Sequence, residues 1–131
     1  MTNKELMKHW IDSAENDYSS MVNIYDSKQY NWSLFIGHLV IEKLLKALYA
    51  KLNEKEPYAP KTHNLLVLAQ KCDLKLDEGQ VDALSRITKF NMSVRYDDAK
   101  KDFYKLCTPE YTEKQIESIK ELRSWLKEQL I

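Results

Sequence analysis

Glycine and proline are scarce in this chain, with two Gly and three Pro in 131 residues. Both residues interrupt helices and populate turns, so their scarcity argues against a sheet-rich fold with many connections. With only Gly37 and Gly79 present, no glycine-rich phosphate loop can form. A Gly-x-Ser-x-Gly elbow is absent as well. The two cysteines, Cys72 and Cys107, are too few for a disulfide framework or a zinc site. They read as reduced, partly buried thiols in no evident activating environment. An excess of either charge is also missing: 20 Lys and Arg stand against 20 Asp and Glu. The chain as a whole is therefore not steered toward nucleic acid or membrane.

No unbroken apolar run long enough for a bilayer occurs. The stretch 34–50 comes nearest, and His38, Glu42, Lys43 and Lys46 interrupt it. Residues 1–20 alternate charged and apolar groups, unlike a signal peptide. The expected location is cytoplasmic, with no membrane association. No alternating strand pattern, hairpin dipeptide or internal repeat stands out.

What is present points to helices. Hydrophobic residues make up 44% and charged residues 31%, a balance that reads as one globular domain over residues 1–131. Thr2-Asn-Lys-Glu5 has capping-box form and starts a first helix. Its stripe is Met7, Trp10, Ile11, Ala14, Tyr18, Met21, Val22 and Tyr25. Residues 26–31 read as a short connection, which implies antiparallel neighbours. A second helix over roughly 31–53 is apolar around its whole circumference, the mark of a helix enclosed by others. Residues 54–62 form a loop with Pro57 and Pro60. Thr62 or Asn64 caps a shorter third helix bearing Leu65, Leu66, Leu68 and Ala69. Asp77-Glu-Gly-Gln80 opens a fourth, with Val81, Leu84, Ile87, Phe90 and Val94 turned inward, ending near 91–96. A short helical piece follows over 98–106. The box Thr112-Glu-Lys-Gln115 predicts the start of the last helix, striped by Ile116, Ile119, Leu122, Leu126 and Leu130. The expected fold is an all-α, up-and-down antiparallel bundle of four main helices plus one or two short ones.

Three constellations carry chemistry, each with two readings. His38, Glu42 and Lys46 share one stripe of the second helix at i, i+4 spacing. They form either a structural network or one wall of a polar cleft. His63, in Thr62-His-Asn-Leu65, sits at a helix start and is either incidental to a cap or a partner for Glu42. Arg95 and Tyr96, in Phe90-Asn91-Met-Ser-Val-Arg-Tyr-Asp-Asp98, offer a guanidinium fork and a stacking ring. The competing reading pairs Arg95 with Asp97, Asp98 or Glu42. Residues 86–105 tilt basic, with Arg86, Lys89, Arg95, Lys100, Lys101 and Lys105 against Asp97, Asp98 and Asp102. His38 and His63 lack a third ligand at useful spacing, so neither metal nor cofactor is expected. Trp10, Trp32, Tyr25 and Tyr30 are candidate contacts for a protein partner.

Phe35-Ile-Gly-His-Leu-Val-Ile-Glu-Lys-Leu-Leu-Lys-Ala-Leu48, then Thr62-His-Asn-Leu65, then Val94-Arg-Tyr96 resemble the HEPN domain (higher eukaryotes and prokaryotes nucleotide-binding). The likeness runs from about residue 5 to residue 128. It implies a helical bundle similar to the helical domain of kanamycin-type nucleotidyltransferases, and a homodimer. It also implies a minimal nucleotidyltransferase encoded nearby, in toxin–antitoxin-like pairs, and a nucleotide or RNA ligand. By motif, the resemblance carries over Glu42, Lys43, Lys46, His63, Arg95 and Tyr96, and His38 and Asn91 join them as candidate ligand-binding residues. Ribonuclease branches of the family carry His four to six residues after Arg. Here Ala99, Lys100 and Lys101 follow Arg95 at those distances, and no His follows Arg86 or Arg123. The expected general acid/base is therefore missing. A non-catalytic binding module is the reading favoured over a ribonuclease toxin or a purely structural partner.

Overall fold

Thr2 starts the fold. Its hydroxyl accepts a hydrogen bond from Glu5 N at 3.1 Å, and Glu5 Oε1 accepts one from Thr2 N at 3.4 Å. This reciprocal cap opens α1 (Asn3–Asp26). In the computed structural model, which describes residues 1–93 and 97–131, five helices follow. They are α2 (Tyr30–Leu52), α3 (Leu65–Lys71), α4 (Glu78–Ser93), α5 (Asp97–Leu106) and α6 (Pro109–Gln129). Among the described residues no strand occurs and no helix is long and apolar enough to cross a membrane.

Directions follow from which residues meet. Asp17 meets Lys43, and the Met21 carbonyl accepts from Ser33 Oγ at 2.8 Å, so α1 and α2 run antiparallel. Gly37 faces Ile119 while Lys51 reaches the Gln129 carbonyl, so α6 runs parallel to α2. The start of α4 (Gln80, Ala83) faces the later turns of α6 (Leu122, Trp125), so these two are antiparallel. Helices α1 and α4 thus oppose α2 and α6 in an up-and-down bundle. Short α3 lies alongside α2, from His38 near His63 to Leu45 near Cys72.

Helix α2 touches each of the other five. Its fully buried side chains include Leu34, Val40, Ile41, Leu44 and Leu45. This matches the expectation drawn from an apolar circumference. Gly37 permits the close approach of α6: a Cβ there would lie 2.5 Å from Ile119 Cδ1 and 3.1 Å from Met21 Sδ.

The caps of α3 and α4 form as read. Asn64 Oδ1 accepts from Leu66 N and Val67 N. Asp77 and Gln80 exchange side-chain-to-backbone bonds at 3.0 and 2.7 Å. The start of the last helix is different. Thr108, not Thr112, is the cap: its Oγ1 accepts from Tyr111 N at 3.2 Å, and Pro109 occupies the first turn. Thr112 and Gln115 are buried inside α6, and Gln115 Oε1 accepts from Arg86 Nε at 2.7 Å. A capping pattern names residue types, and a buried cross-helix bond can use the same types. Two smaller differences concern the core. Leu6 is buried on α1, although Met7 reads as the stripe residue, and Val81 is only partly buried. Val94, Arg95 and Tyr96 lie outside the described residues.

Candidate functional site

Glu42 is the centre of the polar cluster. It sits mid-way along α2 with 4% of its surface exposed. A carboxylate so buried needs partners, and it has them. Lys46, one turn on, places Nζ 3.2 Å from Oε2. From the segment before α3, His63 brings Nδ1 to 2.7 Å from Oε1. His38, one turn earlier, has Nε2 3.7 Å from the same oxygen.

The protons follow from chemistry. His38 Nε2 lies 2.9 Å from the His63 carbonyl. A carbonyl only accepts, so Nε2 carries the hydrogen and donates. This bond pins the backbone of residue 63 to the buried ring. His63 Nδ1 donates to the Glu42 carboxylate, which fixes the tautomer. With Nδ1 turned inward and the side chain about half exposed (51%), Nε2 is the ring nitrogen left toward solvent. The Lys46 ammonium lies against the carboxylate and balances its charge. That ammonium also lies 5.0 Å from the Trp10 ring centroid, which ties the cluster to α1.

Beyond His63 opens a cleft of about 460 Å³, lined by Lys61, Thr62, Asn64, Thr88, Asn91 and Met92. Thr88 is a structural pivot of this wall. Its hydroxyl donates to the Leu84 carbonyl at 2.8 Å and accepts from Leu65 N at 3.0 Å, fixing the start of α3 against α4. Nothing in the sequence marks it, because its partner lies 23 residues away.

Of the residues singled out in the sequence, His38, Glu42, Lys46 and His63 meet at one point, and Asn91 lines the adjoining cleft. Lys43 goes elsewhere. Its Nζ bonds Asp17 Oδ2 and, at 2.8 Å, Ser13 Oγ on α1. It stands three positions before Lys46, yet it pairs with Asp17 on α1 instead of joining the cluster. Arg95 and Tyr96 are outside the described residues. Lys61 and Thr88 are the cleft residues that sequence reasoning missed.

The thiols take no part. Burial pushes Cys72 up to about 12 and Cys107 up to about 11, so neither is a thiolate near neutral pH. Among the described residues, no three His, Cys, Asp or Glu side chains are grouped to hold a metal ion.

A HEPN domain family model matches residues 7–129. The chain belongs to the HEPN domain family. Membership links this HEPN chain to a nucleotide- or RNA-related role. No curated protein and no solved structure matches it.

Proposed function

We propose that this HEPN chain is a nucleotide- or RNA-binding module without catalysis of its own, whose ligand enters the cleft beside His63. The observation that carries the reading is the Glu42–His63 bond at 2.7 Å. It holds in place an imidazole that itself lines the cleft. Around that ring the cleft supplies Lys61 for a phosphate and the exposed Asn64 amide for a base edge. By the family resemblance, Arg95 and Tyr96 add a guanidinium and a ring to the same ligand. The module acts with a separately encoded minimal nucleotidyltransferase, as a homodimer.

Calorimetric titration with AMP, ATP and short RNAs tests the reading. Binding by the wild type, weakened in His63→Ala, Lys61→Ala and Arg95→Ala, is the expected result. No heat with any of them, or equal binding by all three variants, overturns it. Co-purification with the product of an adjacent gene tests the pairing, and sedimentation tests the dimer.

One observation favours a second reading. A carboxylate-oriented imidazole with an outward nitrogen is the arrangement of a general base, and it stands here in place of the absent Arg-to-His motif. Cellular RNA left intact after incubation with the purified protein ends that reading.

A further inference from the structure

A second hollow, of about 360 Å³, lies in the seam between α4 and α6 and shares no lining residue with the cleft beside His63. Ala83 and Arg86 line it from α4, Glu121, Leu122 and Trp125 from α6, and Asp77 from the turn before α4. Ala83 and Leu122 are buried and Trp125 is half-buried, so part of its wall is apolar. Arg86 is held by its inner nitrogen: Nε donates to the amide oxygen of buried Gln115 at 2.7 Å. Among the described residues Arg86 pairs with no carboxylate. Its two terminal nitrogens are left as the fork that grips a carboxylate. Glu121 borders the same hollow, and among the described residues its carboxylate has neither a hydrogen bond nor an ion pair. Asp77 is engaged as the cap of α4, its Oδ1 accepting from Gln80 N at 2.7 Å.

Helices α4 and α6 are antiparallel, and long helical side chains lean toward their own N-termini. Gln115 marks the level of Arg86. Glu121 stands six positions further on, about 9 Å along the axis. Arg86 and Glu121 therefore lean toward each other from opposite walls without closing into a pair. That separation selects a ligand. A purely anionic molecule, a phosphate included, would meet the charges of Glu121 and Asp77. A purely cationic one would meet Arg86. A molecule that carries both signs satisfies both walls, and the apolar wall takes an apolar body. We propose that this hollow binds a free amino acid with a large apolar side chain. Its carboxylate lies on the Arg86 fork, its ammonium on Glu121, and its side chain against Trp125 and Leu122.

The test is calorimetric titration with L-phenylalanine. N-acetyl-L-phenylalanine and L-phenylalaninamide, each lacking one charge, serve as comparisons. Phenylalanine is expected to bind, and each analogue to bind about tenfold or more weakly, the usual value of a charged hydrogen bond. Glu121 is exposed, so Glu121→Gln disturbs no interior. It is expected to weaken phenylalanine about ten- to hundredfold without weakening the N-acetyl analogue. Arg86→Lys keeps the charge but loses the fork, and is expected to weaken both. Lys8→Gln, on the exposed face of α1, binds as the wild type does. Circular dichroism melts check that the variants fold, and if Arg86→Lys does not, Glu121→Gln decides. In amide and indole NMR spectra, the indole signal that Trp125→Phe removes is expected to shift on titration, with those of Trp10 and Trp32 unmoved. Four results overturn the proposal: no binding of phenylalanine at millimolar concentration, either analogue bound as tightly, equal binding by Glu121→Gln, or a shift confined to Trp10 or Trp32.

Discussion

Glu42 shows how one buried side chain can tie several elements together. Its carboxylate is buried and satisfied by Lys46 and His63. Glu42→Gln keeps the shape but removes the charge, leaving the Lys46 ammonium without its counterion. A loss on the order of 1–3 kcal/mol is expected, as for a charged hydrogen bond removed from one side, and urea unfolding would measure it. Glu15 offers a pH-dependent case. The Lys127 hydrogen bond, with help from Arg123, holds its carboxyl below the usual 4.5, against the opposing effect of burial. The unfolded chain therefore binds the proton more readily than the folded one. The contribution is full above the ordinary carboxylate value and is lost as pH falls through the lower folded value. Its size is small, because the side chain is 41% exposed. Glu15→Gln should melt at a lower temperature than the wild type at about pH 7, and the two melts should converge as pH falls through the lowered folded value. Sequence spacing placed Glu42 beside Lys46, since i, i+4 neighbours follow from helix geometry alone. It named Glu42 only as one partner open to His63, because that contact depends on how the loop before α3 folds back.

At the scale of the elements, the caps decide where helices begin. Thr108 supplies the cap of α6, so Thr108→Ala should destabilise the protein by about 1 kcal/mol, read from the denaturation midpoint. The boundaries of α1 and α2 were legible to within a residue or so, because the Thr2 cap, the polar run at 26–31 and the segment before Pro57 mark them. The start of α6 was not. Thr108-Pro109 and Thr112-Glu-Lys-Gln115 both carry starting signals, and burial against Arg86 on α4 settles the choice. Periodicity within one helix cannot show that contact. Lys43 and Lys46 make the same point: both belong to the family-like stretch, but α1 claims the first and Glu42 the second.

At the scale of the whole molecule, the parallel pair α2 and α6 is set by Gly37. Gly37→Val would drive a branched side chain into Ile119 and Met21, both fully buried. A destabilisation on the order of 1–3 kcal/mol is expected from overpacking, visible as a lowered thermal midpoint. Since α2 touches every other helix, no part of the bundle keeps its interior once this member leaves. Amide exchange along Leu34–Leu45 should then proceed only through global unfolding. The carboxylate that orients His63 stands on that same member. Anything gripped beside the imidazole is consequently wagered on the integrity of the entire protein, and an occupied cleft would announce itself as a later collapse on heating rather than as the quietening of one loop.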